Sequence, residues 1–221
     1  MRVEDKHLAV EGVNDIGERA FGGGALRLMG RKAVLRPLVF TDWLAVHDYA
    51  GRPETCRFLQ WGPNTPEGTR MFVREAVKAM ERDWGRHFAL AIVERSGGRL
   101  IGACTLRVES ERHRRGVIGY VLHPRWWRQG YGTEAARLLC GFGFEILRLH
   151  RIEATCDPRN WASAKVLQKC GMRWEGRLRE HMRARRGWRD SDVYGVLVAE
   201  WQGETATVEA IAIGDRERPA S

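Results

Sequence analysis

A Gly-x-Gly pair between a strand and an apolar helix is the feature that most constrains how this chain folds. The segment that carries it spans residues 120–135 and reads YVLHPRWWRQGYGTEA. A strand-like run ends near His123, and Gly130 and Gly132 stand directly before the helix. Glycines at such a turn allow positive φ angles and a close approach of the backbone to a ligand. The free amides of the helix N-terminus favour an anion, and a pyrophosphate group would suit them.

On its own, this pair has two interpretations. It lacks the Gly-Lys-Ser/Thr of a P-loop and the third glycine of the dinucleotide-binding fingerprint, so a plain strand–helix turn stays open. A second helix start, Asn160-Trp-Ala-Ser163, follows the next strand. Asn160 could be a simple helix cap, but Asn160 and Ser163 are three residues apart and can share one helix face. The two helix starts would then lie along one edge of a sheet.

The order of the predicted elements is mixed. It consists of strands at residues 25–29 and 33–37, two helices, and strands at 87–94, 99–108 and 116–122, followed by a helix at 133–149, a strand at 151–156, a helix at 160–170 and strands at 172–178 and 193–201. This order predicts an α/β (α+β) fold, with a mixed, mostly antiparallel central sheet and helices on both faces.

The composition and the positions of the glycines predict that the chain has three parts. Residues 1–24 end in three glycines and form an N-terminal appendage, residues 25–201 form the domain, and residues 202–221 form a polar C-terminal tail. No run approaches the ~18 apolar residues needed to cross a bilayer. The first residues contain acids and lack an apolar core, which excludes a secretory signal. We therefore expect a cytoplasmic protein without a membrane partner.

The charge balance is basic, and the cysteines are few. There are 37 Lys and Arg against 28 Asp and Glu, a net charge of +9 that favours anionic ligands. None of the standard nucleic-acid-binding motifs is present, which argues against direct nucleic-acid binding. The five cysteines include no C-x-x-C pair, so neither a disulfide framework nor a zinc site is expected. We expect reduced thiols and no metal.

Together these segments resemble the GNAT superfamily of N-acetyltransferases, and within it the RimJ/RimL-type branch of ribosomal-protein N-terminal acetyltransferases. The likeness covers about residues 25–201 in the family's order. One departure is Trp127, because the superfamily commonly has Gln or Arg three residues before the first loop glycine. The matching pieces are residues 35–38 (LRPL), 100–102 (LIG), 118–122 (IGYVL), 127–135 (WRQGYGTEA), 150–153 (HRIE), 160–163 (NWAS), 169–172 (KCGM), 175–179 (EGRLR) and 188–190 (WRD).

The resemblance implies acetyl-coenzyme A (acetyl-CoA) as the acetyl donor. The strand at residues 119–122 would hold the acetyl-pantetheine arm through its backbone, and the loop would hold the pyrophosphate through its amides. Asn160 and Ser163 match positions that contact the arm, and Lys165 could reach a phosphate. The implied cofactor-binding residues are Tyr120, Val121, Leu122, Gln129, Gly130, Tyr131, Gly132, Thr133, Asn160, Ser163 and Lys165.

The implied chemistry is direct attack of a neutral amine on a thioester. An α-amine, with a pKa of ~7.7–8.0, needs a base less than a lysine amine at ~10.4. Glu109 is the first candidate base, directly or through water, and His123 is the second. A solvated hairpin acid and a loop-packing residue are their respective alternatives. Ser163 would donate to the leaving thiolate, with Tyr131 and Tyr194 as weaker options.

The sequence thus predicts transfer of an acetyl group from acetyl-CoA to a primary amine. The acceptor would be a protein N-terminal α-amine or a small-molecule amine. Two alternatives stay open. One is a non-catalytic acyl-CoA-binding regulatory module, which would share the cofactor site; the other is a nucleic-acid-binding domain, which only the charge suggests. The sequence also leaves a homodimer open.

Overall fold

The computed structural model describes residues 24–184, 187–203 and 207–212. Nearly all of the predicted appendage at residues 1–24 lies outside these ranges. Among the described residues, nine strands form one sheet in the order β7-β8-β6-β5-β4-β3-β2-β1-β9. The strands are β1 Gly24–Met29, β2 Ala33–Pro37, β3 His87–Glu94, β4 Leu100–Ser110, β5 Arg115–Leu122, β6 Arg151–Cys156, β7 Arg173–Ala184, β8 Gly187–Leu197 and β9 Thr207–Ala212.

The described helices cover both faces of this sheet. They are α1 Trp43–Ala50, α2 Pro53–Cys56, α3 Pro66–Arg82, α4 Tyr131–Gly141 and α5 Trp161–Lys169. All strand pairs are antiparallel except β5 with β6, which are parallel. The mixed, mostly antiparallel sheet with helices on both faces confirms the fold predicted from the sequence.

The larger core lies between the sheet and the helices α4 and α5. Alternate residues of β3, such as Phe88 and Leu90, point into it and are fully buried, as is Leu139 of α4. The rings of Phe88 and Phe142 meet edge to face with their centroids 4.9 Å apart. Burying one such side chain contributes roughly 1.5–3 kcal/mol, so this layer fixes where α4 begins and ends.

A smaller core lies on the opposite face, under α1 and α3. Val46 and Tyr49 of α1 and Val73 of α3 pack there against Ala91 of β3. The start of α3 has two standard helix-start features, since Thr65 Oγ1 accepts a hydrogen bond from the amide of Gly68 at 3.1 Å and Pro stands at the first helical position.

The helix predicted over residues 133–149 differs from the structure at both ends. It begins at Tyr131 and stays α-helical to Gly141, and a π-helical turn, Phe142–Ile146, replaces its last part. Gly143 within that turn presses on β6. A Cβ atom there would stand 2.7 Å from Cδ1 of Ile152, closer than real Cβ contacts. The chain then turns into β6 rather than continuing the helix.

The strands β7 and β8 pair over a longer stretch than the two strands predicted at residues 172–178 and 193–201. Their charges are partly paired across the strands. Arg177, for example, donates to Asp192 at 2.7 Å. At the other end of the sheet, β9 lies within the predicted polar tail and pairs with β1 in antiparallel register.

Two further findings concern the whole described chain. All five cysteines are buried, and none forms a disulfide. No helix among the described residues combines the length and the apolar character needed to cross a membrane.

Candidate active site

The site begins where β5 and β6 separate. Their parallel pairing covers three residue pairs and ends with Val117 opposite Glu153. The rest of β5 still pairs with β4 as far as Leu122, while the rest of β6 pairs with β8. A V-shaped gap therefore opens toward the C-terminal ends of both strands. The edge of β5 from Ile118 to Leu122 is left with backbone donors and acceptors for an extended ligand, apart from the carbonyl of Leu122, which accepts from Nε1 of Trp127 at 2.9 Å.

The glycine loop lies at the open end of this gap. Gly130 directly precedes α4 and has a φ of 88° and a ψ of −8°, a left-handed conformation that favours glycine. The amide of Glu134 donates to the carbonyl of Gly130 at 3.0 Å. The three amides before it, at residues 131–133, have no acceptor within the helix, as at any helix start. They form an anion site at the point where the gap reaches solvent.

Gly132 has a different role from Gly130. It is buried, and a Cβ atom there would stand 3.5 Å from Cδ1 of Leu122 and 3.6 Å from Cγ2 of Val166. These are ordinary van der Waals distances, so the first turn of α4 packs directly beside both β5 and α5. This packing brings the two predicted helix starts together at one edge of the sheet.

The start of α5 forms the other side of the site. Asn160 caps the helix, because its Oδ1 accepts from the amide of Ser163 at 3.1 Å. Ser163 reaches across to β5, where its Oγ lies 2.9 Å from the hydroxyl of Tyr120. The same Tyr120 hydroxyl donates to the backbone carbonyl of Ser163 at 3.2 Å. Burial raises the pKa of Tyr120, so the phenol keeps its proton at neutral pH.

Lys165 is exposed on the second turn of α5. Of the remaining loop residues, Gln129 is exposed, and its backbone carbonyl accepts a hydrogen bond from Nζ of Lys32 at 2.9 Å. The exposed turn of the β1–β2 hairpin thereby contacts the glycine loop.

The two candidate bases lie at opposite ends of β5. His123 follows the last residue of β5, and both of its ring nitrogens are engaged. Its Nδ1 accepts from the amide of Arg125 at 3.0 Å, and its Nε2 lies 3.2 Å from Oδ2 of Asp48. Burial lowers the pKa of His123, partly offset by the charge of Asp48. A neutral ring with a proton on Nε2 satisfies both contacts.

Glu109 lies near the closed end of the gap, at a register shift between Val108 and Ser110. Its carboxylate forms an ion pair with Arg107 two residues earlier on the same strand. The geometry therefore brings Tyr120, Asn160 and Ser163 together, while it keeps Glu109 and His123 apart.

One carboxylate at the gap was not singled out from the sequence. Glu153 lies opposite Val117 in the last parallel pair of β5 and β6. Its Oε1 accepts a hydrogen bond from Nε of Arg151 at 2.6 Å. The buried residues Ile152 and Ala154 alternate with it and face the larger core, so Glu153 is on the opposite face of β6. The alternation of residues in the strand could have indicated the face on which Glu153 lies. Its position at the gap between β5 and β6 is seen only in the structure.

Next to the start of α5, an ion-pair cluster around a buried carboxylate connects three separate segments. Asp157, which is 3% exposed, accepts from Nη2 of Arg159 at 2.8 Å and lies 3.2 Å from Nη1 of Arg189 on β8. The same Arg189 Nη1 donates to the carbonyl of Phe58, in the segment after α2, at 3.0 Å. The turn that delivers Asn160 is thus fixed to β8 and to the segment that follows α2.

Comparison with known proteins agrees with this geometry. Residues 32–173 match the family model described as the acetyltransferase (GNAT) domain. The chain is 37% identical over 178 residues to a probable N-acetyltransferase, YjcK, of Bacillus subtilis (strain 168), covering 77% of this chain and 96% of that protein.

Solved structures show the same fold. An acetyltransferase of the GNAT family from Bacillus anthracis superimposes with a TM-score of 0.71 at 30% identity, covering 79% of this chain and 99% of that one. Mycobacterium smegmatis RimJ, solved in complex with CoA-disulfide, has a TM-score of 0.71 at 24% identity, with 82% and 90% covered.

The chain belongs to the GNAT family of acetyltransferases. It is an acyltransferase of the N-acetyltransferase type, in a family whose members use acetyl-CoA and take an amine as acceptor.

Proposed function

We propose that this enzyme transfers the acetyl group of acetyl-CoA to a primary amine by direct attack, as a member of the RimJ/RimL-type branch. The acceptor would be an α-amine, at a protein N-terminus or on a small molecule. The observation that carries the proposal is the gap between β5 and β6, which ends at the amides of residues 131–133. Mycobacterium smegmatis RimJ, which shares the fold, was solved in complex with CoA-disulfide, and this supports CoA as the ligand.

The residues around the gap fit acetyl-CoA. The backbone of Tyr120, Val121 and Leu122 would bind the pantetheine amides in the manner of a neighbouring strand. The loop from Gln129 to Thr133 would hold the pyrophosphate, since Gly130 leaves open space where a side chain would stand: a Cβ there would meet only Nζ of Lys32, at 3.7 Å. When bound, acetyl-CoA supplies the activated acetyl group.

Ser163 would stabilise the departing thiolate. Two arrangements of its hydrogen bond with Tyr120 are compatible with the 2.9 Å contact. In one, Tyr120 donates to the Ser163 carbonyl and accepts from the Ser163 hydroxyl. In the other, Tyr120 donates to Oγ, and the hydroxyl hydrogen of Ser163 is free to point into the gap as a hydrogen-bond donor. The second arrangement becomes favourable as negative charge develops on the sulfur, because a hydrogen bond to a charged group is the stronger one.

The preference for an α-amine follows from how the candidate bases are bonded. His123 uses both ring nitrogens, and Glu109 is held by Arg107. An α-amine is neutral about a tenth of the time at neutral pH, whereas a lysine amine is rarely so. A site whose bases are already occupied is therefore better suited to an α-amine than to lysine.

A thiol-release assay with acetyl-CoA and a panel of amines tests this proposal. The panel contains peptides with free N-termini, a polyamine and a lysine peptide with a blocked N-terminus. Each free peptide is matched by the same sequence with an acetylated N-terminus. We expect release with free N-termini and none above background with the acetylated versions. CoA binding without release across the whole panel would favour the regulatory module instead, and turnover confined to the lysine peptide would contradict the α-amine assignment.

A further inference from the structure

A basic pocket lies beside the glycine loop. It has a volume of about 370 Å³ and is lined by Arg31, Lys32, Arg95, Ser96, Gln129 and Tyr131. Two of these residues, Gln129 and Tyr131, flank Gly130 in the chain. The other four come from the β1–β2 turn and from the residues that follow β3, so the pocket brings three distant segments together at the start of α4.

Hydrogen bonds that involve backbone groups hold the pocket in shape. The carboxylate of Glu134 in the first turn of α4 accepts from the amide of Lys32 at 2.8 Å, which attaches the β1–β2 turn to the helix. Arg95 donates through its backbone to the carbonyl of Lys32 at 2.8 Å and through Nη1 to the carbonyl of Gly30 at 2.9 Å. The ammonium group of Lys32 is in turn held on the carbonyl of Gln129.

The three cations of this pocket are not neutralised. Across the described ranges of the chain, no carboxylate forms an ion pair with the side chain of Arg31, Lys32 or Arg95, although Arg151 and Arg177 are each paired. The nearby Glu94 is 6% exposed and accepts a hydrogen bond from Ser96, and Glu134 accepts from the backbone of the β1–β2 turn. The pocket therefore presents net positive charge on a fixed frame.

We propose that this pocket binds the ribose 3′-phosphate of CoA, and that Arg31, Lys32 and Arg95 distinguish CoA from 3′-dephospho-CoA. The inference rests on the proposed function, which puts the pyrophosphate on the adjacent amides. A single ribose separates the pyrophosphate from the 3′-phosphate, so a group bound at Gly130 delivers the second phosphate to the neighbourhood of Gln129 and Tyr131. A phosphate monoester carries about −1.5 to −2 charges at neutral pH and is bound well by Lys and Arg.

Lys165 is the competing cation. It is exposed on α5, and a ligand whose adenosine turned toward α5 would meet it instead. The two directions of the ligand predict opposite sets of sensitive residues. The experiment therefore compares variants on both sides.

Calorimetric titration of the full chain with CoA and with 3′-dephospho-CoA tests the proposal. We expect wild type to bind CoA at least about tenfold more tightly, corresponding to one good charge-assisted contact. Arg31→Ala and Lys32→Met should each reduce this ratio several-fold, and the double variant should bring it near one. The ratio should also fall at high salt, because the cations are exposed. Arg112→Ala, an equal loss of charge in the turn between β4 and β5, should leave the ratio unchanged.

Three results would overturn the proposal. Equal affinity of wild type for both ligands would do so while leaving the proposed function intact, since CoA would still bind. Loss of discrimination in Lys165→Ala, with none in the Arg31 and Lys32 variants, would assign the phosphate to α5. Failure of wild type to bind either ligand would remove the proposed function and this inference with it. Melting curves of each variant without ligand confirm that the folded protein is being titrated.

Discussion

The hydroxyl group of Tyr120 lies 2.9 Å from Oγ of Ser163, so one hydrogen bond connects the two sides of the gap between β5 and the helix that follows β6. Ser163 was predicted as the donor to the leaving thiolate, and Tyr120 was predicted to act only through its backbone. The side-chain contact leads us to propose a role for the phenol, which would hold and polarise the Ser163 hydroxyl.

Replacing either member of this pair should lower kcat more than it changes the KM for acetyl-CoA. Ser163→Ala removes the donor, and we expect a loss of about 10- to 100-fold, equivalent to roughly 1–3 kcal/mol in the transition state. Tyr120→Phe keeps the ring and should cost less, about 2- to 10-fold. Steady-state kinetics of the single and double variants measure both effects.

The double variant is the decisive member of that series. Because Tyr120 acts through Ser163, the loss in the double variant should equal that of Ser163→Ala alone. Losses that multiply would show that the phenol acts independently. Tyr49→Phe is a matched control, since it removes a buried hydroxyl without a hydrogen-bond partner among the described residues, and it should leave the kinetics unchanged.

Gly130→Val should abolish binding of CoA, because Gly130 has a left-handed backbone and a side chain there would crowd the amides of the loop. A thermal-shift titration checks this. Wild type at 100-fold saturation should gain roughly 2.7 kcal/mol of stability, and the variant should gain none.

Gly171→Val is the matched control, since Gly171 also has a positive φ of 82° but lies in open space at the end of α5. Its backbone strain should be similar, and its response to CoA should be intact. A normal response in Gly130→Val would refute the proposed phosphate site.

The role of Glu109 is tested by the pH–rate profile of Glu109→Gln. If Glu109 helps to deprotonate the amine, kcat should fall at about pH 7 and recover toward about pH 9, more so for a lysine peptide than for a free N-terminus. Glu111→Gln on the same hairpin is the control. An unchanged profile with full kcat would remove Glu109 from the mechanism. Glu153→Gln and His123→Gln, measured in parallel, would then show whether the carboxylate of Glu153 or the imidazole of His123 deprotonates the amine.

The Asp157 cluster should make stability sensitive to acid. Hydrogen bonds from Arg159, with a further contribution from Arg189, lower the pKa of Asp157 from 3.8 to about 2. Because the pKa is lower in the folded chain, its contribution is complete above about pH 4 and is lost as the pH falls toward 2. That contribution should be on the order of 1–2 kcal/mol. Urea unfolding of wild type and Asp157→Asn at a series of pH values measures it, and the difference between the two proteins should shrink on acidification. A difference that stays constant would contradict the role of the ionised carboxylate.

The sequence predicts local signals well and relationships across the sheet poorly. The strands on either side of Gly30 and the turn from β5 to α4 at Gly130 depend on neighbouring residues, and the structure contains both. The β7–β8 hairpin was only partly predicted, because β7 is almost entirely exposed and charged residues dominate its second half. The contact between Tyr120 and Ser163 joins residues 43 positions apart, and no local pattern encodes such a distance. The same holds for the engagement of His123 by Asp48, which depends on how α1 packs.

The three-residue pairing of β5 with β6 means that the sheet is divided into two antiparallel blocks with a short seam between them. Along the remainder of the gap the two strands share no backbone hydrogen bonds. An extended pantetheine arm would form such bonds with β5 in the manner of a neighbouring strand. Amide hydrogens of residues 118–122 that exchange freely in the unliganded protein should then become protected when CoA binds. In this view the co-substrate would also act as a temporary strand, and it would extend the pairing between the two blocks of the sheet while the enzyme is loaded.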